Sequence, residues 1–198
     1  IYSKLYLSML RSLQKKQSIF AVRQFNENSK MIRQKSYESI IGGSDSFTII
    51  GPSGIGKSSA VSRAINILTE TPVLNLGNTK VIACLQVQAP ADSSVKGLLL
   101  EILRKADEML RTNYHQNAMK SHPTVDMLIG SVSQVALNHI GLLIVDEIQN
   151  VVNSKNGKTV IGTLTQLINN SGVSIAMVGT PESTVFFDQA MMLARRSL

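Results

Sequence analysis

The chain predicts an α/β protein in three layers, a parallel sheet with helices on both faces. Three observations carry that reading. Short apolar runs alternate with amphipathic helical patterns in the order β-α-β-α-α-β-α-β-α. The runs are apolar throughout, as strands covered on both faces must be, where half-solvated strands would alternate with polar residues. The first run also passes into its helix through a glycine-rich turn, "TIIGPSGIGKSSAVSRAI" at 48–65.

Taken in order, residues 1–40 read as a basic N-terminal helical arm and 41–198 as the core. Within 1–35, eight basic side chains (Lys4, Arg11, Lys15, Lys16, Arg23, Lys30, Arg33 and Lys35) face one acid, Glu27, which accounts for the whole net charge of +7. Such an arm is either a solvated face or a contact for nucleic acid or an acidic partner. Residues 26–41 look helical, ending at Gly42-Gly43. "SFTII" (46–50) is the first strand, and a helix starts near Lys57 with Val61, Ala64, Ile65 and Leu68 on one face. "TKVIACLQVQ" (79–88) is the second strand, after which Asp92 or Ser93 caps a helix carrying Val95, Leu98, Leu99, Ile102, Leu103 and Met109. "TNYHQNAMKSHP" reads as a polar joint, followed by a helix from about Thr124 to Asn138. "GLLIVDE" (141–147) is an apolar strand ending in two acids, a helix follows near 159–169, "VSIAMVGT" (173–180) is the fourth strand, and a short helix covers roughly 182–193.

Composition narrows the class. With 198 residues, 43% of them hydrophobic, the chain can bury a single core. No run of apolar residues is long enough to span a membrane, and the N-terminal stretch, interrupted by Lys4, Arg11, Lys15 and Lys16, has no signal-peptide pattern. The single cysteine, Cys84, sits in an apolar run and reads as a buried small hydrophobe, which suits a cytoplasmic protein. His115, His122 and His139 have no metal-ligand spacing. The chain opens on Ile1 and is read as a piece of something longer.

The glycine-rich turn fits G-x-x-x-x-G-K-[ST]. Gly51, Pro52, Ser53, Gly54, Ile55, Gly56, Lys57, Ser58 and Ser59 would wrap backbone N–H groups around a phosphate, at the positive end of the helix that follows. Lys57 would meet the β- and γ-phosphates, and the Ser58 hydroxyl would ligand Mg²⁺. A P-loop NTPase also needs an acid at a strand tip for the metal. Asp146 stands in that place, 89 residues after Lys57, and Glu147 beside it would polarise the attacking water. That spacing leaves room for an extra strand between the motifs. "NTKV" (78–81) lacks the aspartate of a guanine-specific element, so ATP is favoured over GTP. Thr180, ending the last strand, either reaches the γ-phosphate or the water, or belongs to a helix N-terminus, and both roles are compatible. Arg195 and Arg196 are either surface charge or a finger for a neighbouring subunit's γ-phosphate.

These residues resemble the AAA+ ATPases, P-loop NTPases of the extra-strand, catalytic-glutamate (ASCE) type. There the same elements are named Walker A, Walker B, sensor 1 and arginine finger. "GPSGIGKSS", "LQVQAPADSSVKGLLLEIL", "LLIVDEIQNV" and "VGTPESTVFF...LARRS" together resemble the TnsC/TniB group of bacterial transposition regulators. The resemblance implies an ATP hydrolase that oligomerises on duplex DNA as a ring or helical filament, connects a target-selection protein to the transposase, and leaves DNA after hydrolysis. It places DNA contacts at Lys96 and at Thr112 or Asn113, though Lys96 reads equally as a helix-surface lysine. Lys155 and Lys158 could also meet a phosphate. The sequence stops at Leu198 without the helical lid of that family, so the lid is absent or truncated. Two other functions fit the same core: a STAND-like signalling switch that never touches DNA, and a helicase-loader or initiator ATPase.

Overall fold

The computed structural model describes residues 1–28, 46–92, 94–152 and 157–184. Its five strands are β1 (Phe47–Ile50), β2 (Val73–Leu76), β3 (Thr79–Gln88), β4 (Ile140–Asp146) and β5 (Ser174–Gly179). The helices are α1 (Tyr2–Asn28), α2 (Lys57–Leu68), α3 (Val95–Leu110), α4 (Tyr114–Lys120), α5 (Val125–His139), α6 (Gln149–Val152) and α7 (Gly157–Ser171), and a 3₁₀ turn covers Pro181–Ser183. The sheet runs β1-β5-β4-β3-β2. All neighbours are parallel except β2, which pairs antiparallel with β3. The strand of the glycine-rich turn and the strand of the paired acids are therefore not adjacent. β5 lies between them.

The expected strand at 79–88 is β3 to the residue, while the acid strand starts one residue earlier, at Ile140, and ends at Asp146. The edge strand β2 was not expected. Its register sets Leu76 opposite Thr79, leaving Gly77 and Asn78 as a two-residue hairpin turn with Gly77 at φ 60. The polar joint contains helix α4. The Asp107 carboxylate, on α3, accepts from the Thr112 hydroxyl (2.6 Å) and from the Tyr114 and His115 N–H groups (both 2.8 Å), capping α4 from seven residues away. Helix α3 is capped by Ser94, whose Oγ accepts from Gly97 N at 3.0 Å. Asp92 instead accepts from the Ser94 N–H, and Ser93 lies outside the described residues. Thr124 caps α5, accepting from Met127 N. The expected helix at 182–193 is described only as far as Thr184, and most of the one at 26–41 lies outside the described residues.

The two faces of the sheet hold separate cores. On one, α3, α5 and α7 bury Leu98, Leu99, Ile102, Leu128, Val132 and Leu164 against Leu143, Val145, Ile175 and Met177. On the other, α1 and α2 bury Leu5, Met9, Val61 and Ala64 against Phe47, Cys84, Leu142, Ile144 and Val178. The alternation along β4 divides the strand between them. Helix α1 is held by polar contacts as well. Lys16 is 4% exposed and donates to the Ala136 and Leu137 carbonyls (2.6 and 2.7 Å) at the C-terminal end of α5, where a cation suits the helix dipole. The Ser12 hydroxyl donates to the Gly141 carbonyl at the start of β4. Part of the N-terminal charge is thus structural, while Lys4 and Arg11 are exposed.

Candidate active site

Residues 51–56 link β1 to α2. Gly54 and Gly56 have φ of 76 and 85, the left-handed region that favours glycine. A Cβ at either would meet nothing within 4 Å, so it is the backbone conformation and not crowding that calls for glycine. The Gly51 N–H donates to the Gly179 carbonyl at 3.2 Å, tying the loop to the end of β5. Lys57 is half-buried because its ammonium folds back and donates to the Gly51 and Pro52 carbonyls, both at 2.8 Å. Ser58 lies half-buried in the first turn of α2, and Ser59 is exposed. The loop is preformed, and its lysine is held by weak neutral acceptors that a phosphate can outcompete.

Parallel register brings the acids to the same edge of the sheet. Ile50 is level with Gly179 and Val145 with Met177, so the glycine loop, Asp146 and Thr180 all emerge at the C-terminal ends of adjacent strands. Asp146 is 1% exposed, with Oδ1 accepting from the Glu147 N–H (2.8 Å) and Oδ2 from the Gln86 side-chain amide (3.2 Å). Glu147 has φ 54, a left-handed conformation for a residue with a side chain, which stores on the order of 1–3 kcal/mol of strain. The surroundings enforce it. Ile148 N donates to the Val178 carbonyl, and a Cβ on Gly179 would fall 2.7 Å from Ile148 Cγ2. The Glu147 carboxylate accepts from the Gln149 side-chain amide.

Thr180 is 9% exposed and precedes the 3₁₀ turn in an extended conformation; its carbonyl accepts from Ser183 N at 3.0 Å. Its hydroxyl makes no capping bond to the turn's backbone and engages the Glu182 carboxylate. That hydroxyl, the Glu182 backbone N–H and the Lys57 ammonium hold the Glu182 carboxyl below the usual carboxylate range. Glu182 is therefore an anion within the field of Lys57.

Other predicted residues lie apart. Lys96 is exposed in the first turn of α3, the helix that follows the C-terminal end of β3. Thr112 and Asn113 follow the far end of that helix, about 24 Å away at 1.5 Å per residue. Thr112 is half-buried with its hydroxyl on Asp107, while Asn113 is exposed. Arg195, Arg196 and Lys155 lie outside the described residues, and Lys158 is exposed on α7. His139 Nδ1 donates to the Lys80 carbonyl (2.8 Å), and its Nε2 pairs with the Tyr114 hydroxyl (3.0 Å), at the opposite end of the sheet. Among the described residues no cluster of His, Cys, Asp or Glu could hold a metal by itself. Burial pushes the Cys84 thiol up to about 12, an unreactive group.

Sequence reasoning missed Gln86, Ser62, Gln149 and Glu182. Gln86, Gln149 and Glu182 left a signal, as members of the "LQVQ", "DEIQ" and "GTPE" stretches, and Ser62 left none. The residues present fit a magnesium nucleotide: open left-handed glycines, a lysine resting on carbonyls, and a buried carboxylate that makes no ion pair among the described residues. Ser58 and Asp146 would hold the metal through oxygen, as Mg²⁺ requires.

Among the described residues no helix is long and apolar enough to cross a membrane. No curated protein matches the chain significantly. The sequence profile of a family described as "AAA domain" matches residues 41–184, nearly three quarters of the chain and every element of the site described above. The chain belongs to the AAA domain family, the AAA-type P-loop ATPases.

Proposed function

We propose that this ATPase is a regulator of DNA transposition that assembles on duplex DNA in its ATP-bound state and disassembles on hydrolysis. The observation that carries the ATPase part is Asp146 and Glu147, side by side on the strand edge that also bears the glycine loop, with separate hydrogen-bond partners. The loop's N–H groups bind the phosphates, and Lys57 leaves the Gly51 and Pro52 carbonyls to neutralise them. A bound Mg²⁺ supplies electrophilic stabilisation of the charge that develops on the transferred phosphoryl group. Glu147 accepts the proton of the attacking water, and the Thr180 hydroxyl, once released from Glu182, donates toward the γ-phosphate or that water.

The DNA part is supported by the exposed Lys96 and by the sequence likeness running through the strand and helix that carry it. With Lys96 in the first turn of α3 and Asn113 just beyond its far end, one subunit would touch DNA at two separated points. Self-assembly, the transposase and a target-selection protein are the partners this reading names.

The test is ATP-dependent assembly on duplex DNA by the parent chain and by Glu147→Gln. The variant is expected to bind ATP normally, to lose at least about 100-fold in turnover, and to persist on DNA. Lys96→Ala is expected to lower the slope of log affinity against log salt by ~0.9 per contact. Assembly driven by ATP alone and indifferent to DNA would overturn this reading in favour of a signalling switch.

A further inference from the structure

We propose that Gln86 is a positioning residue for the metal-binding carboxylate, aimed by Ser62 on the helix that follows the glycine loop. It rests on the reading of Asp146 as the metal's acid. A carboxylate accepts hydrogen bonds and donates none, so the Gln86 amide must present its NH₂ to Asp146 Oδ2, at 3.2 Å. That leaves the amide oxygen facing Ser62, whose hydroxyl donates to it at 3.0 Å. The relay has one polarity from end to end: Ser62 O–H to the Gln86 carbonyl, and Gln86 N–H to Asp146. Without the serine, the near-symmetric amide would lose what favours one of its two flipped orientations.

The relay crosses three elements. Gln86 lies on β3, whose register with β4 sets Gln88 opposite Asp146, so the side chain two residues back reaches the carboxylate from the same side of the sheet. Ser62 lies one helical turn beyond Ser58, the other metal residue, and so on the same face of α2. The two groups that would hold Mg²⁺ are thus connected through protein: Ser58 by α2 to Ser62, and Asp146 by the Gln86 amide. Asp146 Oδ1 is already taken by the Glu147 N–H. With both oxygens engaged, the carboxylate keeps one orientation, and the metal meets it ready-placed. Gln86 and Ser62 are half-buried and line an open cleft between α2 and α3, so removing the amide opens no hole in either core.

The experiment is a Mg²⁺ titration of fluorescent ATP-analogue binding by the full chain, with the same binding measured in EDTA and thermal unfolding as a control. Gln86→Leu is expected to raise the Mg²⁺ midpoint about tenfold, as loss of an outer-sphere partner does, with EDTA binding and Tm little changed. Ser62→Ala is expected to raise it by a smaller factor, and to add nothing in the Gln86→Leu background. Asp146→Asn separates the two ideas. If it leaves the Mg²⁺ dependence untouched, the reading of the acid fails and this one falls with it. If Asp146→Asn abolishes that dependence while Gln86→Leu leaves the midpoint in place, Gln86 positions nothing. Equal losses with Mg²⁺ and in EDTA would make its role structural and overturn the proposal as well. Should Gln86→Leu not fold, the Ser62→Ala midpoint decides, an unchanged value counting against the relay.

Discussion

The two faces of the sheet are built differently. Under α3, α5 and α7 the interior is a continuous mass of branched aliphatic side chains, with Leu98, Leu99, Ile102, Leu103, Leu128 and Leu143 fully buried. Under α1 and α2 the sheet offers the small Ala83, Cys84 and Ala176 beside Phe47, Leu142, Ile144 and Val178, and polar pegs (Ser8, Ser12 and Lys16) are buried among the apolar contacts. The first face gathers stability through area removed from water. The second lets α2, which carries the phosphate loop, sit close to the strands and share hydrogen bonds with them through Ser62 and Gln86. The larger apolar core and the candidate phosphate loop thus lie on opposite sides of one sheet.

Equivalent truncations on the two faces should break the comparison if it is wrong. Leu99→Ala is expected to cost ~3–5 kcal/mol in denaturant unfolding, because α3, packed against β3, α4, α5 and α7, cannot collapse into the cavity. Leu5→Ala, equally buried but on a single helix that can shift, is expected to cost nearer ~2–3 kcal/mol. Equal costs would mean the faces do not differ in the way described. Lys16→Met tests the polar pegs. It keeps the stem's packing but strips the ammonium from the Ala136 and Leu137 carbonyls, with an expected loss of ~1–2 kcal/mol.

Cys84 sharpens the comparison without a mutation. Its thiol is raised by burial beneath the second face, so alkylation of the native protein at neutral pH is expected to be slow and to track unfolding. The sign of the pH effect follows. Below the unfolded thiol's pKa of ~8.5 the group leaves stability unchanged. As pH rises from there the unfolded chain loses its proton first, and stability falls. The smallest effect belongs to the exposed cluster on α3. Arg104 holds the Glu101 carboxyl below its usual range, chiefly through a hydrogen bond, yet the pair is solvated, and Glu101→Ala is expected to change stability by no more than ~0.5 kcal/mol. What little Glu101 contributes is present at neutral pH and lost as pH falls through its depressed pKa.

What was legible in the sequence was local. The glycine loop is contiguous, so its residues, conformation and helix could all be read together, and β3 and β4 announced themselves as unbroken apolar runs. The edge strand β2 escaped because "VLNL" is half-buried and interrupted by a polar residue, a weak pattern for an edge. Helix α4 escaped because its cap, Asp107, is on a different helix. At the site, Asp146 and Glu147 were visible from their position at a strand tip, whereas Gln86 was not: its meaning depends on β3 lying beside β4, 60 residues away in sequence. Lys16 was read with the arm's charge run, as a solvated face or a contact for nucleic acid or an acidic partner, since nothing local distinguishes a lysine that finds carbonyls on α5 from one that finds water.

The docking of α1 bears on how this protein can be cut. The family's sequence profile begins at residue 41, yet Leu5 and Met9 belong to the same apolar cluster as Phe47, Val61, Cys84 and Leu142. A fragment starting at the profile boundary would keep every described residue of the candidate site and still lose its cover on one face. The uncovered strip would be a sticky, strand-lined surface inviting self-association. Cys84, returned to ordinary acidity there, would be open to oxidation and cross-linking between copies. Clumping of such a fragment would be an artefact of trimming, easily mistaken for nucleotide-driven assembly, and a version that starts before Leu5 avoids it.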